Sequence, residues 1–302
     1  MAQGVEIIEV GPRDGLQAEA TLLSVDQKVR LINRLIQAGS RRIEIGSFVS
    51  PSVVPQMADS EAVLVRIPKH AGLTRIGLVL NQRGLERAIA AGCDEVGLVA
   101  VATDGFGLKN QGVTHEQSIV LCEQLAPQAR AAGLSVQITL SVAFGCPFEG
   151  EVPVERVLET SKRLAALAPR DLALADTIGV AVPTQVRHLF ENLQTLAPHL
   201  PLRGHFHNTR NTALANIMAA YHAGVRIFDS SIGGIGGCPF APRASGNVAT
   251  EDVVYLLERR GIRTGLSLTQ LIATAHWLEA QLGHPLPGMV ARAGEFPYTS
   301  TK

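Results

Sequence analysis

Eight short runs rich in β-branched residues, each followed by a longer segment of helical period, predict a (β/α)8 TIM barrel. Two further observations carry this fold class. Helical segments end on "AGS", "AGC", "AGL" and "AGV", which puts a glycine just past the last turn, where a helix C-terminus favours one. The turn after the first strand reads "VGPRDGLQ", without the glycine-rich dinucleotide turn that a doubly wound open sheet, the alternative, would want there.

The elements follow in order. "VEIIEV" (5–10) leads to a helix over 24–38, where Ser24 and Gln27 form a capping box and Val25, Val29, Ile32 and Ile36 share one face. "RRIEIGS" (41–47) precedes a helix near 59–67, and "TRIGLVL" (74–80) one over 83–91. "EVGLVAV" (95–101) precedes a helix from Thr114, whose partner Gln117 repeats the capping box. "LSVQITLSV" (134–142) leads to 153–168, "DLALAD" (171–176) to 183–197, "LRGHFH" (202–207) to 212–223, and "VRIFDSS" (225–231) to 248–260. The catalytic barrel is thus expected over 1–264, with a helical C-terminal extension over 265–302 packed on it, since no Ser- or Pro-rich linker separates the two.

The 302 residues are 46% hydrophobic, enough for a large core, and the 27 basic side chains balance the 27 acidic ones. That balance argues against nucleic acid or a membrane surface as partner, and no apolar run reaches spanning length. The N-terminus lacks the basic and apolar blocks of a signal peptide. Cys93, Cys122, Cys146 and Cys238 show no paired spacing and read as reduced thiols, so a cytoplasmic protein is expected.

In a barrel of this kind chemistry sits at the C-terminal ends of the strands. There the sequence places Arg13 and Asp14 after strand one, Glu44 in strand two and Asp176 at the end of strand six. "HFH" follows in strand seven, with His205 and His207 two apart and so on one side of a strand. A long Gly-rich loop after strand eight holds Cys238 and Asn247. The histidines read as a metal-binding pair or as a hydrogen-bonded pair at a strand end, and their company on one rim favours the metal. Asp14, His205, His207 and Asn247 would make a mixed N/O site suited to Mg²⁺ or Mn²⁺, with positions left for substrate oxygens. Plainer roles stand beside these: Arg13 as an ion-pair partner of Asp14 or Glu44, Asp176 as a turn cap, Cys238 as a small buried thiol.

"VGPRDGLQ", "IEIGSFVSPSVVPQMAD", "ADTIGV", "HFHNT" and "GGCPFAPRASGNVATEDVVYLL", in that order over about residues 5–260, together resemble the 3-hydroxy-3-methylglutaryl-CoA lyase family. The resemblance implies metal-dependent retro-Claisen cleavage of a 3-hydroxy-3-methylacyl-CoA, 3-hydroxy-3-methylglutaryl-CoA above all, to acetoacetate and acetyl-CoA. It assigns the metal to Asp14, His205, His207 and Asn247. Arg13 would stabilise the enolate, Gln17 would meet substrate, and Glu44 and Asp176 would hold the ligands in place. Cys238 would move a proton from the glycine-rich loop, and "LKNQG" would put Lys109 and Asn110 near the CoA end. A homodimer is the assembly to consider, and breakdown of leucine or related branched acids is the family's setting.

The departures fall around the acyl pocket. Where the family commonly reads H-C-H-D-T-Y-G, this chain has Asn208, Arg210 and Asn211; Thr103 and Asp104 replace a Ser-Glu pair, and Gly46 a threonine. Arg210 is expected either to grip the acid end of the acyl group or to lie on the surface. Citramalyl-CoA, cleaved to pyruvate and acetyl-CoA, is the alternative substrate. A condensing enzyme like the isopropylmalate synthases is a further alternative, set back by the short stretch after the barrel.

Overall fold

The structure, a computed structural model, describes residues 4–237 and 246–297. Its strands are β1 (Glu6–Glu9), β2 (Arg42–Ser47), β3 (Thr74–Val79), β4 (Glu95–Val101), β5 (Ser135–Ser141), β6 (Leu172–Asp176), β7 (Leu202–Phe206) and β8 (Ile227–Ser230). Each pairs in parallel with the next, and β1 closes on β8 through Glu6–Ile227 to Glu9–Ser230. The barrel expected from the alternation is the one that forms, with strand ends within two residues of the sequence reading.

The helices are α1 (Val25–Gln37), α2 (Ser60–Arg66), α3 (Gln82–Ala91), α4 (Asp104–Asn110), α5 (His115–Ala131), α6 (Val154–Ala165), α7 (Pro183–Leu196), α8 (Ala213–His222), α9 (Thr250–Arg259), α10 (Leu268–Leu282) and α11 (Met289–Ala293). Both capping boxes are present, Ser24 with Gln27 and Thr114 with Gln117. The glycines read as helix stops, at 39, 92, 133 and 224, all have positive φ. The sequence reading missed α4, because Gly105 and Gly107 interrupt its helical pattern. The second of these is there for space: a Cβ on Gly107 would lie 2.4 Å from the carbonyl oxygen of Val113. Beyond the eighth unit α10 runs along α1, where Trp277 lies under the guanidiniums of Arg30 and Arg34 at 5.6 and 5.2 Å. Among the described residues, no helix is long and apolar enough to cross a membrane.

The outward faces of the strands and the inward faces of the helices form one large apolar core. The barrel's interior is different. One side holds a separate small cluster of Ile8, Val10, Ile76 and Ile227. The other side is ionic. Arg42, 1% exposed, reaches Glu95 at 2.5 Å and Asp171 at 2.8 Å, and the other oxygen of Asp171 accepts from Arg203 Nε at 2.7 Å. Arg203 then pairs with Asp229 in β8. Each buried cation thus meets carboxylates, as burial of charge demands.

Two further buried carboxyls secure the start of the glycine-rich loop. Glu9 Oε1 accepts from the amides of Gly11 at 2.8 Å and Ile232 at 2.9 Å, joining the β1 exit to the β8 exit. Glu251, in the first turn of α9, accepts from the Gly233 amide at 3.0 Å. Burial, with Asp252 and Glu9 nearby, pushes Glu251 up to about 8 against the pull of that amide. The folded state therefore holds the extra proton between pH 4.5 and about 8, and the stability present below that window is lost as pH rises through it. Glu251→Gln removes the titration and keeps an oxygen for Gly233. In thermal melts from pH 5 to 9, parent and variant should be close at the acid end, and the variant should be the more stable at the alkaline end. Melting curves that stay parallel across the range would refute the buried, protonated carboxyl.

Candidate metal centre at the barrel mouth

Asp14 comes to the mouth on one tight π-type turn, Gly11–Gly15, in which the amides of Arg13, Asp14 and Gly15 all point at the carbonyl of Val10. His205 stands on β7 and His207 just past its end. The returning arm of the glycine-rich loop pairs with that end: the Asn208 amide donates to Gly246 O at 2.8 Å, and His207 bridges Asn247 in antiparallel fashion. This pairing carries Asn247 across the mouth, where its amide donates to Asp14 Oδ2 at 2.7 Å and leaves its oxygen to offer a metal. A side chain on Gly236 would block the crossing, since its Cβ would lie 2.5 Å from Asn247 Nδ2 and its φ is +118°.

Asp14, His205 and His207 each bring one ligand atom within 4.8 Å of the others, and the two imidazole centroids are 5.2 Å apart. Electrostatics prepare the set. Burial opposes charge on Asp14, but Arg13 and the two histidines outweigh it and hold the carboxyl well below its usual range. His207 is pushed down to about 3, by burial first and then by His205, so its imidazole is neutral. Its Nδ1 is buried with no hydrogen-bond partner among the described residues. A neutral buried imidazole with an unsatisfied nitrogen, beside an ionised carboxylate, fits a divalent cation better than it fits a purely structural pair.

The neighbours of this set divide cleanly. Arg13 bridges two carboxylates, giving Nη1 to Asp14 Oδ1 at 2.7 Å and Nε to Glu44 Oε2 at 2.7 Å. Glu44 thus orients Arg13. Asp176 is a turn cap: its oxygens accept from the amides of Val180 at 2.8 Å and Ala181 at 3.1 Å. Its carboxyl binds the backbone, and it meets the histidines through the charge of His205 and through the main chain, where the His207 amide donates to Asp176 O at 3.3 Å. Burial, against those amides, raises it to about 6.

Arg210 departs from the carboxylate grip considered above. It is exposed, and its Nη1 donates to the carbonyls of Ile178 at 3.0 Å and Gly179 at 2.9 Å, tying the β7 exit to the β6 exit. Gln17 is half-buried on the helical turn that follows Asp14, and Lys109 and Asn110 are exposed at the end of α4, on the same rim but outside the metal cluster. Cys238 lies outside the described residues.

One residue that the sequence reading passed over belongs with these. Asp229 Oδ2 receives His205 Nδ1 at 3.1 Å as well as the Arg203 guanidinium. With Nδ1 held by the carboxylate, Nε2 is the nitrogen left for a ligand. Burial would strip His205 of its proton, but Asp229 and Asp14 reverse the balance and raise its pKa. The signal in the sequence was an acid inside the apolar run "VRIFDSS", the same signal that marked Glu44.

Known proteins place this arrangement. The HMGL-like family model matches residues 4–278. The (R)-citramalyl-CoA lyase of Chloroflexus aurantiacus is 44% identical, over 97% of this chain and 95% of its own length. Hydroxymethylglutaryl-CoA lyase YngG of Bacillus subtilis is 42% identical, over 94% of this chain and 95% of its own. Among solved structures, an HMG-CoA lyase from Acinetobacter baumannii, in complex with coenzyme A and 3-methylmalate, superposes with a TM-score of 0.92 at 40% identity. That match covers 97% of this chain and 96% of the other. With a family match across nearly all of its length, the chain belongs to the HMGL-like family, as a carbon–carbon lyase.

Proposed function

We propose that this enzyme cleaves a 3-hydroxy-3-methylacyl-CoA by a metal-assisted retro-Claisen reaction, with 3-hydroxy-3-methylglutaryl-CoA as substrate and acetoacetate and acetyl-CoA as products. The observation that carries the proposal is the convergence of Asp14, His205 and His207 beside a bridging Arg13 at the open end of the barrel. Similarity to lyases whose names specify CoA thioesters supports the substrate class. The 44% identity to a citramalyl-CoA lyase makes citramalyl-CoA, yielding pyruvate and acetyl-CoA, the second reading.

In this mechanism Asp14, His205, His207 and the Asn247 oxygen would hold Mg²⁺ or Mn²⁺, which as a Lewis acid would acidify the substrate's 3-hydroxyl and steady the charge that develops on it. The hydroxyl proton leaves to a base, C3=O forms, the C2–C3 bond breaks, and its electron pair passes into the thioester enolate. Arg13, cationic at every working pH and held by Glu44, stabilises that enolate oxygen. Protonation at C2 completes acetyl-CoA, and Cys238 is assigned to this proton transfer on the strength of the resemblance. Asp229 keeps His205 in one tautomer throughout. Lys109 and Asn110 are assigned to the CoA end, and Gln17 to the acyl end.

The decisive assay is release of acetyl-CoA from a panel of 3-hydroxyacyl-CoA thioesters with added Mg²⁺ or Mn²⁺, the second product distinguishing acetoacetate from pyruvate. Chelation should abolish cleavage. His207→Ala and Asp14→Ala should each lose bound ion and cut turnover by orders of magnitude; full activity in metal-stripped protein would end the metal mechanism. Asp229→Asn should weaken Mn²⁺ binding by about 10- to 100-fold, the usual cost of losing a partner behind a ligand, and unchanged affinity would reduce Asp229 to a structural ion pair. Cys238→Ser should slow turnover strongly while leaving metal content and melting temperature near those of the parent, because serine is close in size and far less acidic.

A further inference from the structure

Between α10 and α11, the strap of residues 284–288 touches both of the exits that carry Asp14 and Asn247. On the β1 side, His284 Nε2 lies 2.7 Å from Glu19 Oε2. Glu19 belongs to the helical turn that follows Asp14, where its amide donates to Leu16 O at 3.1 Å. On the β8 side, the Gly288 amide donates to Gly233 O at 3.0 Å. Leu286 is seated so closely on Gly233 that a Cβ there would lie 2.4 Å from Leu286 Cδ1. A Cβ on Gly234 would meet Pro287 Cγ at 3.1 Å and Asn247 O at 3.4 Å, so strap and ligand-bearing arm converge on that one glycine. The next residue, Ile235, packs against the turn that carries Asp14: a Cβ on Gly15 would lie 2.6 Å from Ile235 Cγ1.

Side chains hold this strap where regular structure does not. Leu286, 2% exposed, donates its amide to Glu279 Oε2 at 2.9 Å and accepts from Arg292 Nη2 at its carbonyl at 2.6 Å. Just past it, the Met289 and Val290 amides donate to the Asp252 carboxylate at 3.1 and 2.7 Å, which ties the strap to α9. A metal site works only if its ligands are held to about 0.5 Å. His205 has a strand beneath it, but Asp14 stands on a turn and Asn247 on an arm. Packing behind those two has to supply the precision that a strand gives the histidine.

We propose that Leu286 is a positioning residue for the cleavage: wedged against Gly233, it fixes the Gly233–Gly236 turn and through it the spacing of Asp14 and Asn247. It acts through the main chain, with Pro287 and the His284–Glu19 pair holding the strap on its two sides. The inference rests on the lyase reading above and gives the segment after the eighth strand–helix unit a part in it. A leucine that only covered apolar surface would matter to stability alone. One that sets ligand spacing matters to ion affinity and turnover in the folded enzyme.

The test measures Mn²⁺ affinity of the metal-stripped protein, kinetics on 3-hydroxy-3-methylglutaryl-CoA at saturating Mn²⁺, and melting temperature. The proteins are the parent, Leu286→Ala, Leu286→Val and Leu286→Met. Leu164→Ala, which empties a fully buried site on α6, is the control for lost packing alone. Leu286→Ala should weaken Mn²⁺ binding by about tenfold, the low end for a group behind a ligand, and lower kcat similarly with KM little changed. Leu286→Met, of similar volume, should restore both. Leu286→Val loses less of the wedge, should fall between, and keeps the test valid if the alanine variant does not fold. Leu164→Ala should lower the melting temperature and keep the parent's affinity. Leu286 variants that lose stability as the control does, yet bind Mn²⁺ and turn over as the parent does, overturn the inference. A parent that binds Mn²⁺ but cleaves no thioester overturns the lyase reading, and the Mn²⁺ affinities still decide this one. A parent that binds no Mn²⁺ overturns both.

Discussion

Two guanidiniums inside a barrel must be matched charge for charge, and Asp171 does this for both. One of its oxygens binds Arg42 and the other Arg203, with all three side chains shut off from water. Breaking a buried pair from one side typically costs about 3–5 kcal/mol, because the remaining charge has no solvent to turn to. The pairs therefore hold β2, β4, β6, β7 and β8 in one register more strictly than apolar packing would. The chain of charge runs on from Arg203 to Asp229 and from Asp229 to His205, so the position of a candidate metal ligand at the mouth is set by ion pairs that begin near the barrel's base.

The other half of the site depends on loops instead of strands. Asp14 sits on the β1 exit and Asn247 on the returning arm after β8, and Glu9 binds the main chain of both exits through one carboxylate oxygen. Pairing of Gly246 with Asn208 then lays the arm against the end of β7. Four candidate ligands of three types, from three segments, thereby meet over one floor, with Arg13 between Asp14 and Glu44 as the cation that holds Asp14 ionised. The proposed cleavage would use this combination, because ligands must be deprotonated before a metal binds and an enolate needs a fixed positive charge that proton transfer cannot erase.

By itself the sequence determined the barrel and the rim, and it named the candidate ligands. Period-2 runs alternating with helical period, capping boxes and glycine stops are local signals, and eight such units have few ways to close. His205 and His207 were legible because two residues on a strand share a side, and the five motifs pointed to the family that the matches bear out. What only the tertiary structure decided is partnership. Nothing near Asp229 in sequence says that its carboxylate meets His205 from the neighbouring strand, that Asp176 spends its oxygens on the next turn, or that Arg210 binds carbonyls 31 and 32 residues away. Local pattern records which face a residue occupies; what stands opposite that face depends on strand order and register, which exist only once the barrel has closed.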